Sequence, residues 1–447
     1  MRASARASAS ASLQRRAELR LPLGDPDHPP PGPFRPAFWR SPLRGPWLTS
    51  LLGLLLLIAI PLIALTGFLS NDAYNPSLSG NSVGRTLGPL DFYLFNWPTH
   101  PSWLYAFTQG THVTIGLAAT PILLFKLWSV IPKLFEWPPA PTLAHALERL
   151  SLAFLVGGAL FEFATGILDI QYAYLFKFFF TNAHYYGAWI FTVAFVFHAA
   201  IKLPTMKQAL ATRRGLKPLM DNLAQTRPEP QGEPQSSLIA AAPAAPTMSR
   251  RALLGTMGAG SLFLFIQGAG DTIGGPLRSL AIFGPRDRAG SSPNGFAVNR
   301  TAAAARITPE QVGSAWQLEL TGAGATVKLT RDQLLAMPQH TCDLPIACVE
   351  GWSTTQRWTG VPVAALARLA GAGREATVRN ISIETDGVFT AATLSKSEIA
   401  DERTLLALKV NGVDLSLDHG YPARIIGPGL PGVHCTKWVS KMQFSEA

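Results

Sequence analysis

Four histidines lie in or at the edge of long apolar stretches of the chain: His112, His145, His184 and His198. Ionisable side chains inside membrane spans are costly and usually functional. His184 and His198 are fourteen residues apart in one stretch. In a helix this is roughly 21 Å of rise, with both side chains within about 40° of one face. Because neutral imidazole is a common axial ligand of haem iron, the spacing predicts two haems stacked across a membrane.

Each of the two haems would need a second ligand from another helix. His112 lies in the outer half of a second predicted span and could face His184, whereas His145 lies at the cytoplasmic start of a third span and could face His198. His145 fits an ordinary interfacial polar residue equally well, and His100 in the loop NWPTHPSW is a substitute ligand. An arrangement with a single haem stays open. The fourteen-residue spacing is similar to that of dihaem b-type cytochromes.

The apolar stretches are long enough to cross a membrane as helices. Glu162 in the third stretch fits proton transfer at a quinone site, and it fits equally a polar contact inside a helical bundle. Four spans are predicted, at about Leu48–Leu69, Trp103–Ile131, Arg149–Asp169 and His184–Leu203.

The charges of the chain are distributed unevenly around these spans. Residues 1–46 carry eight arginines and residues 202–251 carry eight lysines or arginines, whereas 70–102 and 169–183 carry one each. Cytoplasmic loops of membrane proteins are enriched in Lys and Arg, so both basic segments are predicted to be cytoplasmic. They adjoin apolar spans and lack interleaved aromatic residues, which argues against nucleic-acid binding.

Cysteine could supply a different kind of chemistry in the last part of the chain. Three cysteines, Cys342, Cys348 and Cys435, are too few to form a disulfide framework. The segment IACVEGWSTTQRWTGVPVAAL around Cys348 resembles the cysteine segment of the sulfite-oxidase-type molybdopterin domain. The later segment VNGVDLSLDHGYPARIIGPGLPGVHCTKWV resembles the closing segment of that family. The resemblance covers the last third of the chain.

The resemblance implies that Cys348 is the thiolate ligand of molybdenum, a soft anionic ligand suited to a redox metal. Cys342 lies outside the motif and is interpreted as structural. Because the pterin ends in a phosphate and displays polar edges, cations and backbone N–H groups should hold it. The residues that the resemblance assigns to cofactor binding, the last three less firmly, are His419, Arg424, Cys435, Thr436, Lys437, Asn299, Arg300 and Asp386.

Two features depart from the animal and plant sulfite oxidases. Phe389 stands where those enzymes have a tyrosine, and a phenyl ring has no hydroxyl to bind a substrate oxyanion. The chain also ends at Ala447, without their C-terminal immunoglobulin-like domain. Both departures favour the bacterial exported branch, which includes reductases of oxidised methionine in proteins. Arg357, close after Cys348, fits a contact with an anionic substrate or an ordinary surface position.

The segment SRRALL at Ser249–Leu254, followed by a short glycine-rich apolar run, resembles a twin-arginine export signal inside the chain. The alternative is a fifth span flanked by two arginines. Both interpretations put residues 275–447 on the outer side of the plasma (inner) membrane, and the first makes the twin-arginine export machinery a partner.

The length of 447 residues and the uneven distribution of the 47% apolar residues predict several domains. Residues 1–46 are a disordered cytoplasmic tail, and 47–204 form a four-helix transmembrane cytochrome b domain. Residues 205–248 are a Pro-rich cytoplasmic linker, and 249–272 are the fifth or twin-arginine-like span. The fold class is therefore an all-α membrane bundle followed by an α+β molybdopterin domain over 275–447.

The last domain alternates strand-like runs with helical pieces, which is typical of an α+β fold. Predicted helices lie at Arg331–Ala336 and Val363–Leu369. Predicted strands include Trp316–Thr321, Thr326–Leu329, Val378–Glu384 and Ala423–Ile426.

These parts together predict a membrane-bound molybdenum oxidoreductase. It would pass electrons between quinone or quinol in the lipid bilayer, b-type haems and an extracytoplasmic molybdopterin centre, with reduction of an S-oxide or N-oxide such as methionine sulfoxide. The alternative is the reverse flow, in which sulfite or a similar donor is oxidised and electrons pass to quinone.

Overall fold

The computed structural model describes residues 25, 27–81, 93–212, 215–231, 236–286, 292–323, 325–387 and 390–446. Five helices in these residues are long and apolar enough to cross a membrane. They are α1 (Pro46–Asp72), α2 (Leu104–Leu134), α3 (Leu143–Ile170), α4 (Phe180–Thr212) and α5 (Arg250–Ile273). This confirms the predicted helical region and indicates a multi-pass membrane protein.

Large apolar side chains point outward along these helices. On α4, Phe197 is 67% exposed and Ile201 is 68% exposed. Such exposure would be unfavourable in water, but it suits a helix whose backbone hydrogen bonds are internal and whose outer face meets lipid. The predicted end of this span at Leu203 falls short, because α4 continues through Pro204 to Thr212.

The chain divides into two compact units, and the division passes through the long helices. One unit contains residues up to 61 together with 118–163 and 187–262. The other contains residues 62–117, 164–186 and 263–447. One part of the helical region therefore belongs to the same compact unit as the C-terminal domain.

The C-terminal domain contains ten strands and three short helices among its described residues. The helices are α6 (Arg331–Ala336), α7 (Val363–Leu369) and α8 (Lys396–Ala400). The strands are β1 (Gln317–Gly322), β2 (Ala325–Thr330), β3 (His340–Ala347), β4 (Ser353–Pro362), β5 (Thr377–Ser382), β6 (Ala391–Leu394), β7 (Leu405–Val410), β8 (Val413–Asp414), β9 (Arg424–Ile426) and β10 (Val439–Ser445).

The strands form two sheets, which confirms the predicted α+β class. The first sheet has the order β2-β1-β10-β5-β6, with β1 and β10 parallel and the other pairs antiparallel. The second has the order β3-β4-β7-β8, and β9 also pairs with β7. Both predicted helices have the predicted bounds, and the four predicted strands differ from the observed ones only at their ends.

Local sequence explains how the second sheet is built. The alternation of β3 buries Leu344 and Ile346 against the core, where Trp358 of β4 is also fully buried. The hairpin register pairs Ala347 with Ser353. The connection between these two strands therefore begins at Cys348, at the edge of the hydrophobic core.

Candidate functional site

The segment Cys348–Trp352, referred to below as the cysteine loop, joins β3 to β4. The Cys348 N–H donates to the carbonyl of Trp352 at 2.9 Å, and the Gly351 N–H donates back to the carbonyl of Cys348 at 3.0 Å. Gly351 has a φ of +94°, a conformation that favours glycine. These features make a tight turn that holds the Cys348 side chain in a buried position.

The environment of the Cys348 thiol is apolar, with some polar and charged groups. Burial raises the pKa of Cys348 to about 11, while backbone N–H groups of the loop and the charge of Arg286 act in the opposite direction. Arg286 forms a two-point contact with Glu350, at 3.1 Å from Nε and 2.9 Å from Nη2. Its guanidinium also lies 3.7 Å from the ring centre of Tyr172. No sequence motif marks Arg286, and the prediction missed it.

Several phenol groups lie within electrostatic reach of Cys348. The hydroxyls of Tyr74 and Tyr105 are 3.2 Å apart and buried. Tyr174 also interacts electrostatically with Cys348, and burial raises its pKa to about 12. The position singled out in the sequence, Phe389, lies outside the described residues. The hydroxyl groups near the cysteine thus come from segments that the motif does not include.

The cysteine loop is held from outside by two of the long helices. Gln109 of α2 donates through Nε2 to the carbonyl of Val349 at 2.6 Å. Thr272 of α5 donates through its hydroxyl to the carbonyl of Gly351 at 2.9 Å. A Cβ atom added to Gly351 would lie 2.8 Å from the side chain of Val113 on α2. Both the shape and the position of the loop therefore depend on α2 and α5.

A second group of buried polar side chains follows from the closing segment. Arg424 starts β9 and donates to the carbonyls of His419 at 3.1 Å and Cys435 at 3.2 Å. Burial lowers the pKa of the His419 ring to about 3, and the charges of Arg424 and Lys437 add to this effect. The imidazole is therefore neutral at physiological pH, with Nδ1 3.0 Å from the Ser416 hydroxyl.

Lys437 connects the closing segment to the region of Asn299 and Arg300. Its Nζ donates to the carbonyls of Arg300 at 2.7 Å and Asp418 at 2.8 Å. Burial lowers the pKa of Lys437 well below its ordinary value, and the neighbouring charge of Arg424 adds to this effect. An anion beside Lys437 would favour the protonated, charged form of this amine.

The less firmly predicted residues lie beside this group. The Asn299 side-chain oxygen accepts from the N–H of Arg300 at 2.9 Å. Arg300 pairs with Glu384 at 2.5 Å and donates to the carbonyl of Asp386 at 2.9 Å. The structure therefore brings Asn299, Arg300 and Asp386 together with Lys437 through the contacts of one arginine.

Two atoms of this group indicate a polar ligand. Among the described residues, neither the buried Arg424 Nε nor the buried Thr436 Oγ1 has a hydrogen-bond partner. An unsatisfied buried donor is costly, and a cofactor with phosphate and amide edges would satisfy such donors. The cluster of His419, Arg424, Thr436 and Lys437 thus fits an anionic, hydrogen-bonding cofactor.

Two residues that the sequence also singled out occupy different positions. Arg357 on β4 is exposed and pairs with Asp343 of the neighbouring strand at 3.1 Å. The Cys342 sulfur is 3.8 Å from the carbonyl of Arg403. Those contacts suit the structural interpretation of Cys342, and a role of Arg357 in substrate binding stays a prediction.

Two of the four membrane histidines come together. The ring centres of His112 on α2 and His184 on α4 are 5.9 Å apart, with planes at 88°. His112 Nδ1 donates to the carbonyl of Ile63 at 2.9 Å, so Nε2 carries the lone pair of the neutral ring. His184 Nδ1 is 3.0 Å from the hydroxyl of Thr165.

The other candidate ligands have different surroundings. His198 is half-buried on α4. His145 is exposed, and its ring lies 3.2 Å from the hydroxyl of Thr142. His100 lies 2.8 Å from the guanidinium of Arg403. Glu162 is buried on α3. The pairing of His145 with His198 therefore stays a prediction.

Comparison with known proteins agrees with the chemistry of the C-terminal residues. A family model described as "Oxidoreductase molybdopterin binding domain" matches residues 305–447. The chain is 28% identical over 155 residues to the mitochondrial sulfite oxidase of Mus musculus, which is 28% of each chain. It is 31% identical over 133 residues to the oxidoreductase YuiH of Bacillus subtilis, which is 29% of this chain and 66% of YuiH.

Two further similarities cover other proteins in part. YedZ1 of Azospira oryzae, provisionally named as a protein-methionine-sulfoxide reductase subunit, is 29% identical over 113 residues, 25% of this chain and 42% of YedZ1. The sulfane dehydrogenase SoxCD of Paracoccus pantotrophus aligns with 21% identity and a TM-score of 0.28, over 30% of this chain and 39% of SoxCD. The chain thus spans well under a third of the matched sulfite oxidase. Its C-terminal part is a molybdopterin-binding oxidoreductase domain of the sulfite oxidase type.

Proposed function

We propose that this protein is a membrane oxidoreductase in which a transmembrane haem exchanges electrons with an extracytoplasmic molybdenum centre. The observation that carries the proposal is the contact of α2 with the cysteine loop. Gln109 donates to Val349, and His112 follows Gln109 by three residues, which is one helical turn. A histidine of the membrane helix and the predicted molybdenum ligand thus belong to adjoining segments.

The molybdenum cofactor would be held at one end by Cys348 and at the other by the buried cations. Cys348 supplies the thiolate, and His419, Arg424, Cys435, Thr436 and Lys437 supply donors for the pterin and its phosphate. Asn299, Arg300 and Asp386 complete the same side through their contacts with Lys437. When bound, the cofactor supplies oxygen-atom transfer coupled to a two-electron change.

The geometry of His112 and His184 supports a haem between α2 and α4. The two ring centres are 5.9 Å apart. Imidazole nitrogens bind metal ions at about 2 Å, so His112 and His184 together would hold one haem iron. The hydrogen bond from His112 Nδ1 to a backbone carbonyl is the typical second contact of a metal-binding histidine. Haem at this pair would supply one-electron exchange.

Glycines leave space beside both rings. A Cβ atom added to Gly67 would lie 2.7 Å from the His112 ring, and one added to Gly166 would lie 3.3 Å from the His184 ring. A larger side chain at either position would displace the imidazole. This arrangement supports a site built around the orientation of the two histidines.

The fifth helix supports a retained membrane span and not only a transient export signal. Thr272 near its end contacts the cysteine loop. Arg250 at its start is fully buried and donates to the carbonyls of Pro42 and Arg227. We propose that the basic segments 1–46 and 202–251 are cytoplasmic and that the cofactor domain lies outside, reached through the twin-arginine machinery. Quinone is the proposed partner within the bilayer, with Glu162 as a candidate proton carrier.

The proposed direction is from quinol to an S-oxide or N-oxide such as methionine sulfoxide. The similarity to YedZ1, which carries a methionine-sulfoxide reductase name, supports this direction. The similarity to sulfite oxidases supports the reverse flow as the alternative.

Spectroscopy of the purified full chain with metal analysis tests the proposal. We expect b-type absorption bands after reduction with dithionite and about one molybdenum per chain. Reduction by a quinol followed by re-oxidation with methionine sulfoxide supports the reductase direction. Reduction of the haem by sulfite replaces it with the oxidase direction. Absence of both haem and molybdenum contradicts the proposal.

A further inference from the structure

The contacts of His112 are repeated fourteen residues further along α2. His112 donates through Nδ1 to the carbonyl of Ile63 at 2.9 Å, and Gly67 provides the space beside its ring. These contacts join one position of α2 to two positions of α1. If the two helices run in opposite directions, the equivalent positions fourteen residues away are 126 on α2 and 49 and 53 on α1.

Lys126 makes the corresponding contacts at those positions. Its Nζ donates to the carbonyl of Thr49 at 2.7 Å. A Cβ atom added to Gly53 would lie 3.2 Å from Nζ. The carbonyl and the glycine that accompany His112 are thus both present again, and a lysine occupies the place of the histidine.

The same shift along α4 leads from His184 to His198. His198 is half-buried, and it lies at the same offset from His184 as Lys126 does from His112. Each of the two helices therefore carries two nitrogen donors fourteen residues apart: His112 and Lys126 on α2, and His184 and His198 on α4. The four residues therefore occupy matching positions on the same two helices.

We infer that Lys126 and His198 are the axial ligands of a second haem, which would be His/Lys-ligated where the first is bis-histidine. A lysine amine that has lost its proton presents one lone pair, as a neutral imidazole does. Its remaining N–H groups can still donate to the Thr49 carbonyl, which then corresponds to the second contact of His112. The flexible four-carbon stem of Lys126 allows Nζ to face α4 while it keeps this contact with α1.

This assignment replaces the predicted pairing of His198 with His145. His145 is exposed and lies at the end of α3, beside Thr142. The contacts of Lys126 with α1 match those of His112, which lies beside His184 of α4. The contacts of His145 do not match them.

The inference rests on the proposed function, because it assumes a haem at His112 and His184. Its test is the haem content and the ligand signature of the purified full chain. Haem per chain is measured as the pyridine complex, and axial ligands are identified by electron paramagnetic resonance and near-infrared magnetic circular dichroism. Lys126→Met removes the amine, Lys126→His offers an imidazole, and Lys202→Met is the control for loss of a lysine in the same bundle.

We expect two haems per chain in the wild type and a His/Lys signature for one of them. Lys126→Met should lose about one haem per chain or convert that haem to a high-spin form, while the bis-histidine signal persists. Lys126→His should restore two low-spin haems, both with bis-histidine signatures, and Lys202→Met should match the wild type.

Two results overturn the inference and leave the proposed function intact. These are one bis-histidine haem in the wild type that is unaffected by Lys126→Met, or two low-spin haems whose signatures are the same in wild type and Lys126→Met. The second result would limit Lys126 to a contact with the edge of the porphyrin. A protein without any haem overturns the inference together with the haem part of the proposed function.

Discussion

Gln109 of α2 donates a 2.6 Å hydrogen bond to the backbone carbonyl of Val349, the residue that follows Cys348. The helix that carries His112 is therefore fixed to the turn that carries the predicted molybdenum ligand. Val113, next to His112, packs against Gly351 of the same turn. This relationship connects the two proposed redox sites through a few residues.

Replacing Cys348 by serine should abolish oxygen-atom transfer while leaving the haem intact. Hydroxyl is a much harder and more weakly binding ligand than thiolate, so we expect turnover to fall at least about 100-fold. The measurement is re-oxidation of reduced haem by substrate, with haem content determined on the same sample. Cys342→Ser is the matched control, because Cys342 is a partly buried cysteine outside the cysteine loop, with its sulfur 3.8 Å from the carbonyl of Arg403. Equal losses in both variants would contradict the assignment of Cys348.

Replacing His112 or His184 by alanine should remove the bis-histidine haem and leave the molybdenum content unchanged. Each imidazole provides one of the two proposed axial bonds, so loss of either leaves the iron incompletely ligated. Absorption spectra and metal analysis measure the two cofactors separately. His145→Ala should behave as the wild type because that side chain is exposed. Full haem content in His112→Ala would exclude that histidine as a ligand.

Gly351→Ala should slow electron exchange between haem and substrate by roughly 10- to 100-fold, because displacement of a site by about 1 Å can have an effect of that size. The added Cβ would meet Val113 at 2.8 Å, and the φ of +94° adds backbone strain. Gly412→Ala is the matched control. Gly412 also has a positive φ, +82°, but nothing lies within 4 Å of an added Cβ. Stopped-flow re-oxidation should distinguish the two, since both share the strain and only one has the clash.

Lys437→Met should reduce the amount of molybdopterin that co-purifies with the protein. The variant loses two hydrogen bonds to the carbonyls of Arg300 and Asp418, and it loses the cation that a cofactor phosphate would pair with. The pterin can be quantified by the fluorescence of its oxidised form. Lys441→Met on β10 removes a partly exposed lysine that pairs with Glu319, and it should retain the cofactor. Equal pterin in both variants would refute the role of Lys437.

The Asp401–Arg403 pair should make stability depend on acid pH. Burial raises the pKa of Asp401, but hydrogen bonds from Arg403 outweigh burial and leave the pKa at about 2. The pKa of an aspartate in the unfolded chain is about 3.9. The pair therefore stabilises the fold fully above about pH 4, and this stabilisation is lost as the pH falls towards 2. Because Arg403 is partly exposed, we expect a contribution of about 1 kcal/mol.

The check is thermal unfolding of the solubilised protein at several pH values. Asp401→Asn should be less stable than the wild type at pH 6, and the difference should shrink below pH 3. Asp343→Asn, which breaks the exposed pair with Arg357, should show no such pH-dependent difference. A gap between Asp401→Asn and wild type that stays constant with pH would mean that the carboxyl charge does not matter.

Much of the fold was predictable because its signals are local. Continuous apolar runs identify the membrane helices, and the start of α6 follows from a capping box between Thr330 and Gln333. The end of α4 was not predictable in this way. Proline usually ends a helix, yet Pro204 lies inside α4, and sequence periodicity alone does not distinguish the two outcomes.

The candidate site was predictable only where a motif or a spacing marks it. Cys348 and Arg424 belong to recognisable segments, and His184 and His198 are connected by helical periodicity. Arg286, Gln109 and Lys126 were missed. Each acts through a partner far away in sequence, such as Glu350, Val349 or Thr49. A single sequence carries no signal for such long-range pairs, and only the folded arrangement reveals them.

Thr272 of α5 is hydrogen-bonded to Gly351, and α5 and Gly351 also belong to one continuous chain. α5 contacts the cysteine loop, and it also tethers the C-terminal domain through the residues between Ile273 and Gln317. Tethering turns docking into an intramolecular equilibrium with an effective concentration in the millimolar range or above. A few hydrogen bonds then suffice for lasting attachment, whereas two freely diffusing subunits would need a far larger interface to meet as often. Cutting the chain between α5 and β1 should therefore weaken the attachment of the C-terminal domain to the membrane helices.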